Sequence, residues 1–205
     1  MNKNIFETGM TAVEVVAGII KQNPRIKALA FYICTPKKNI SETPGYHSFG
    51  RLLSHNSPNG KEIWLKREEI TADKLYGMIG GLGREHVLAV LSKVVFKHNE
   101  TFHLPLMDFS ERSAGLENNL TRILCFLEQA GYGNGVVLSS GRSFHYYGNC
   151  LMNERVWRIF LGDCLLSGLA DPRYVGHNIK DGCATLRLSA CSLRPHIPEV
   201  VSVLN

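Results

Sequence analysis

The stretch that decides the fold is Val136 to Tyr147, V-V-L-S-S-G-R-S-F-H-Y-Y. An apolar strand pattern runs into Ser-Ser-Gly, and an aromatic-rich second strand follows almost at once. β-Branched and aromatic residues on either side of a short serine-glycine break read as two strands around a tight turn. Gly141 allows the backbone to come close to a ligand. Arg142 and His145 stand three apart across the turn and suit phosphate oxygens. A histidine among aromatics, taken alone, is a packed sheet residue. Beside Ser139, Ser140, Gly141, Arg142 and Ser143 it reads as part of a phosphate-binding turn, because hydroxyls, a glycine backbone, a guanidinium and an imidazole all donate to one place. Tyr146 and Tyr147 have the composition of core strand residues, and stacking on a base or sugar is the other reading.

Upstream, Leu104 to Asp108 (L-P-L-M-D) is an apolar run that ends in a carboxylate. Asp108 can cap the following loop or hold a divalent cation through oxygen. Ser110 and Glu111 follow, and on a strand only position 110 shares the face of Asp108. Downstream, Asp171 precedes Pro172 and starts either a turn or a site. Arg173, Tyr174, His177, Asn178 and Lys180 crowd into the next ten residues, reading as a polar loop dense in phosphate-capable donors. Arg187 lies between Leu186 and Leu188 on a predicted strand and points away from both, toward solvent or a site.

Further out, Leu116–Ala130 and Asn153–Ser167 have helical periodicity, and Ala184–Ala190 and Glu199–Leu204 read as strands. The first half gives a helix over Thr11–Lys21, strands over Arg25–Cys34, Tyr46–Ser54 and Glu62–Leu65, and a helix over Arg67–Met78. Strands over His86–Phe96 and Thr101–Phe109 follow, with Pro105 marking an edge or bulge. Gly80, Gly81 and Gly83 lack both the Gly-Lys-Ser/Thr of a phosphate loop and the G-x-G-x-x-G spacing, so they read as a helix terminator and hinge. The class is α+β, with helices packed on a mixed, mainly antiparallel sheet. Residues 1–99 form a small N-terminal α/β lobe and residues 100–205 the core that carries the chemistry.

The totals narrow the function. In 205 residues, 44% are apolar and 20% charged, which supports a globular core and excludes a disordered chain. No apolar run reaches the roughly 18–20 residues of a membrane span, and the first residues lack a secretory pattern. A soluble cytoplasmic protein is expected. The six cysteines form no C-x-x-C pair, so neither a zinc finger nor a disulfide framework is expected; Cys125 and Cys164 read as reduced core residues. Of the net +5 charge, all the excess lies in residues 1–100, with 14 Lys/Arg against 9 Asp/Glu, while residues 101–205 hold 9 of each. The early cations are mostly lysine and the later ones are eight arginines and Lys180. Arginine is the residue for forked contact to phosphate.

Leu106-Met107-Asp108, Ser140-Gly141-Arg142-Ser143-Phe144-His145, and Asp171 followed by Arg187 together resemble the archaeo-eukaryotic primase superfamily, the primase-polymerases. That family carries Asp-x-Asp/Glu on a strand, a Ser-x-His turn, and a later Asp after a helix. The resemblance covers about residues 100–195. It implies a primase-polymerase-like core and a nucleotidyltransferase that adds nucleotides to a nucleic-acid 3′ end. It implies catalytic roles for Asp108, His145 and Asp171, with Mg2+ or Mn2+ on Asp108 and Asp171. Ser140, Gly141, Arg142, Ser143, His145 and Arg187 would bind the nucleotide. The implied partners are DNA or RNA, a nucleoside triphosphate, and a helicase or other replication or defence subunit. Where the family has its second motif-one carboxylate, this chain has Ser110. That departure leaves a second reading, a primase-fold domain that binds nucleic acid or nucleotide without catalysis.

Overall fold

The computed structural model describes residues 5–36, 60–109 and 116–204. The chain opens with α1 (Ala12–Gln22), set by a capping box: Thr11 accepts from the Glu14 amide, and the Glu14 carboxylate accepts from the Thr11 amide at 2.7 Å. Its Val13, Val16, Ile19 and Ile20 are buried.

Nine strands follow among the described residues, divided between two sheets in which every named pairing is antiparallel. The first sheet holds β1 (Ala28–Cys34), β2 (Lys61–Lys66), β3 (Val87–Val95), β4 (Thr101–His103) and β8 (Thr185–Arg187). β2 is its edge, β1 lies next, and β3 pairs with β1 on one side and with both β4 and β8 on the other. The second sheet runs β5 (Leu106–Phe109), β7 (Phe144–Gly148), β6 (Gly135–Ser139), β9 (Glu199–Leu204). Helices α2 (Ala72–Gly80), α3 (Leu116–Gln129), α4 (Glu154–Leu166) and α5 (Pro172–Asp181) complete the α+β fold.

The single strand expected over Thr101–Phe109 is two, because Pro105 has no N–H for a ladder. Leu104 still donates to Ser92 of the first sheet, whereas the Pro105 carbonyl accepts from Gly148 of the second. The proline therefore passes the chain from one sheet to the other. The first sheet draws on both halves of the chain, with β4 and β8 in it, and the N-terminal segment reaches the second, where Gly9 and Ala12 donate to Val200 and Pro198. One apolar core is continuous across them, from Leu29, Phe31 and Leu88 to Tyr146, Tyr147, Trp157 and Phe160.

A buried polar chain ties β3 and β4 to α4. His103 bonds Ser92 Oγ at 3.1 Å and Glu154 at 2.9 Å, and its ring stacks on Trp157 at 4.2 Å. Ser92 Oγ also accepts from the Ala184 amide, so this polar cluster is satisfied.

Three local readings change. The polar loop expected after Asp171 is α5: Asp171 is its N-cap, Pro172 sits in the first turn, and Gly182 ends it at φ 65°. The helix expected from Arg67 begins instead at Ala72, after a 3-10 turn at Arg67–Glu69 and an N-cap at Thr71. Cys164 is buried, but Cys125 lies on the exposed side of α3. α2 does end at Gly80 and Gly81, as the glycine cluster predicts. The strand expected over Tyr46–Ser54 lies outside the described residues. No helix among them is long and apolar enough to cross a membrane.

Candidate functional site

Strand register assembles the site. Asp108 of β5 stands directly opposite His145 of β7. On the other side of β5, Phe109 makes an antiparallel bridge with Ala170, so the next pair in register is Asp108 and Asp171. Directly opposed residues share a face. His145, Asp108 and Asp171 thus form one row across three neighbouring segments, although 63 positions separate the last two in sequence.

Asp108 is partly buried, with 32% of its side chain reachable by solvent. Burial raises its pKa and the Asp171 carboxylate adds to the rise; a hydrogen bond from Ser143 and the charges of Arg187 and Arg194 act the other way. Its Oδ1 is buried without a hydrogen-bond partner and sits 3.9 Å from His145 Nε2. Burial, then Arg187, pushes the His145 pKa down to about 3. The imidazole is therefore neutral at physiological pH, and the 3.9 Å approach is not an ion pair. A neutral ring offers one N–H and one acceptor. Its Nδ1 is buried without a partner.

A pH dependence follows. Unfolded His145 takes a proton near its ordinary value of 6.5, and folded His145 does so only near 3. Its contribution to stability is complete above about 6.5 and is lost progressively as pH falls toward 3. His145→Gln should flatten that acid limb, read as urea midpoints between pH 7 and pH 4. An unchanged slope would contradict the neutral, buried imidazole.

The turn is tightly built. Ser140 donates its amide to Ser143 O at 2.9 Å, and the two hydroxyls lie 2.8 Å apart. Gly141 has φ 93°, and a Cβ there would collide with the His196 ring. Gly141→Ala should therefore cost about 1–3 kcal/mol, from left-handed strain and the displaced ring; urea unfolding checks this. Arg142 is exposed at the tip. Arg187 donates to Ser140 O at 2.6 Å, to Ser189 O at 3.2 Å and to His196 O. Its guanidinium thus ties the turn to the segment between β8 and β9.

Two further groups reach the same place. Arg194, which the sequence reading did not single out, acts on the Asp108 carboxyl. Burial, then Asp108, raises the pKa of Tyr174, one of the residues expected in the polar loop and here on α5, whose hydroxyl donates to Thr185 O at 3.2 Å. Arg194 carried no local signal and arrives through the fold of a loop. Tyr146 and Tyr147 are core residues, 1% and 0% exposed, with hydroxyls bonded to Tyr132 O and Arg187 O. Ser110 and Glu111 lie outside the described residues.

The donor set fits one hard cation. Two carboxylates act on one another electrostatically, one with a buried unpartnered oxygen, and oxygen ligands suit Mg2+ or Mn2+. Among the described residues no three His, Cys, Asp or Glu side chains cluster so as to hold a metal.

Residues 66–199 match the family described as AEP-like, archaeo-eukaryotic primase 1D-like, a span that includes β3 to β8, the turn, Asp108 and Asp171. No curated protein and no solved structure matches the chain. With more than half of its length matched, and the three expected side chains in one row, the chain belongs to the AEP-like, archaeo-eukaryotic primase 1D-like family.

Proposed function

We propose that this chain is a primase-polymerase-type nucleotidyltransferase, which joins a nucleoside triphosphate to a nucleic-acid 3′ end. The observation that carries the reading is the row His145–Asp108–Asp171, with the unpartnered Oδ1 of Asp108 beside the Ser140–Ser143 turn. Asp108 and Asp171 are the residues to hold Mg2+ or Mn2+. A cation bound there would neutralise charge developing on the reacting phosphate. The turn supplies the remaining donors: the Gly141 backbone, the Ser143 hydroxyl, the exposed Arg142 guanidinium and a neutral His145. Arg187 fixes the turn from behind by occupying its Ser140 carbonyl. In this geometry the 3′-hydroxyl attacks the α-phosphorus, the new phosphodiester forms, and pyrophosphate leaves.

A second reading, a primase-fold domain that binds nucleotide or nucleic acid without catalysis, draws on a specific observation: no third ligand joins the two carboxylates among the described residues. Primer extension on a primed template with Mn2+ or Mg2+, beside Asp108→Ala, separates the two. Metal-dependent extension that Asp108→Ala abolishes supports the enzyme. Absent extension with nucleotide binding intact leaves the binding domain. A helicase or another replication or defence subunit would be the natural companion of either.

A further inference from the structure

Helix α4 buries one side and leaves the other bare. Its Trp157, Phe160, Leu161 and Cys164 pack into the core. At the helical repeat, Arg155, Ile159, Gly162 and Leu166 fall on the side directly opposite. Val156 lies at one margin of that stripe and Leu165 at the other. Nine large apolar side chains stay exposed among the described residues, and four of them belong to this helix: Val156 at 41%, Ile159 at 51%, Leu165 at 40% and Leu166 at 86%. Exposed apolar residues scattered singly need no explanation, but a clustered stripe marks a contact surface.

Gly162 sits in the middle of the stripe. A Cβ placed there would meet nothing within 4 Å, so the packing of the single chain does not require glycine. Glycine inside a helix is less stable than alanine. What it offers is a shallow seat on which another helix can come close. The charges along α4 suit an antiparallel copy of itself. Arg155 and Arg158 lie in its first half, Asp163 lies in its second, and its last turn has no basic residue to answer the negative end of the helix dipole. Glu154, the acidic residue of the first turn, is already taken up by His103 and by the Arg158 Nε. The Arg158 side chain is still 64% exposed. Asp163 accepts the Tyr132 hydroxyl on Oδ2 at 2.6 Å, which leaves Oδ1 for a second donor.

We propose that α4 is the contact helix of a homodimer, in which a second copy of this chain packs antiparallel across the stripe. With the two-fold axis between Ile159 and Gly162, each Ile159 seats on the partner's Gly162. Val156 then meets the partner's Leu165, and Arg158 meets the partner's Asp163. Arg155 comes to lie beside the partner's last turn. The two-fold repeats every one of these contacts, large against small and positive against negative. The charge pairs set direction and register, and the apolar seat supplies the attraction. One helix pair about 20 Å long covers less than about 1,200 Å², so the dimer is weak and exchanges readily. No part of the nucleotide site enters this contact, so it stands or falls independently of the nucleotidyltransferase reading.

The test is sedimentation equilibrium of the full chain from about 1 to about 200 µM, which spans the micromolar Kd of a small interface. The average mass should rise with concentration from one chain toward two. Ile159→Glu should weaken association about tenfold or more, as for an anchor at an interface centre. Gly162→Leu is the sharper variant. It adds apolar surface in open space, so unspecific adhesion would grow, whereas a filled seat should weaken the dimer by about tenfold. Melting temperatures near that of the wild type show that both variants are folded, since both positions lie on the outer side of the helix. Wild-type protein that stays monomeric at the highest concentration overturns the dimer and leaves the stripe to a different protein. Association undiminished by Ile159→Glu overturns it as well, and so does association strengthened by Gly162→Leu.

Discussion

Asp108→Asn should yield a protein that is more heat-stable and inactive at once. The wild-type carboxyl is partly buried with an unpartnered oxygen, and the charge of Asp171 acts on it, so its pKa lies above the ordinary 3.8. A carboxyl raised in the folded state binds its proton more tightly there than in the unfolded chain. Its stabilising contribution is complete below about 3.8 and is lost as pH rises through the folded value. At neutral pH this carboxyl therefore costs the metal-free fold stability. Asparagine keeps an acceptor for the Ser143 hydroxyl and removes the ionisable group. Melting curves in chelator should place Asp108→Asn above wild type at pH 7, with the gap closing toward pH 4. Added Mn2+ should raise the wild-type midpoint by mass action and leave the variant unmoved. Primer extension should fall by on the order of 10²–10³, the scale for removing a fixed charge-stabilising group from a reacting centre. A variant that melts below wild type at neutral pH would show that Asp108 supports the fold, in conflict with its placement as a binding group.

The same residue shows how far the sequence could be read. Asp108, the Ser-Gly-Arg-Ser-x-His turn and Asp171 were legible because each sits at a strand end or tight turn, where a polar side chain interrupts an apolar pattern. Their convergence was not legible from spacing: it depends on the one bridge between Phe109 and Ala170, a contact across 61 positions of chain. The α+β class was readable from alternation and helical periodicity. The division into two sheets turned on Pro105, whose missing N–H signals a break without saying which strand each piece joins. α5 escaped because its apolar stripe is thin: only Val175 and Asn178 are buried. The capping pair Asp171-Pro172 was its only clear sign, and that pair also reads as a turn. From its place between two leucines Arg187 read as facing solvent or a site, and its phosphate contact was only what the resemblance implied. Its use of the guanidinium on three backbone carbonyls was not legible, since acceptors from Ser140, Ser189 and His196 carry no side-chain signature.

That use of Arg187 sets the second large effect. One guanidinium belongs to β8 of the first sheet and holds Ser140 of the second sheet's turn, together with both ends of the 189–196 segment. The planar fork makes this possible, because its N–H groups diverge in fixed directions. Arg187→Ala removes all three bonds and leaves carbonyls that only water can recover, so a loss of about 2–4 kcal/mol in urea unfolding is expected. Arg187→Lys keeps the charge near Asp108 but cannot span three acceptors, so it should recover less than half of that loss. The two variants separate structure from electrostatics. If Arg187 acts by placing the turn, both should raise the KM for nucleotide while kcat falls much less. If it acts as a charge on the reacting phosphate, lysine should restore kcat and alanine should not. The three carbonyl bonds favour the first outcome, because a guanidinium already shared among Ser140, Ser189 and His196 is held in one orientation and positions the backbone of the turn. Gly141 completes this coupling: its side-chain-free Cα lets the His196 ring pack against the turn while the His196 carbonyl stays on Arg187. Gly141→Ala and Arg187→Ala should therefore be less than additive in a double-mutant cycle, since each loosens the same turn.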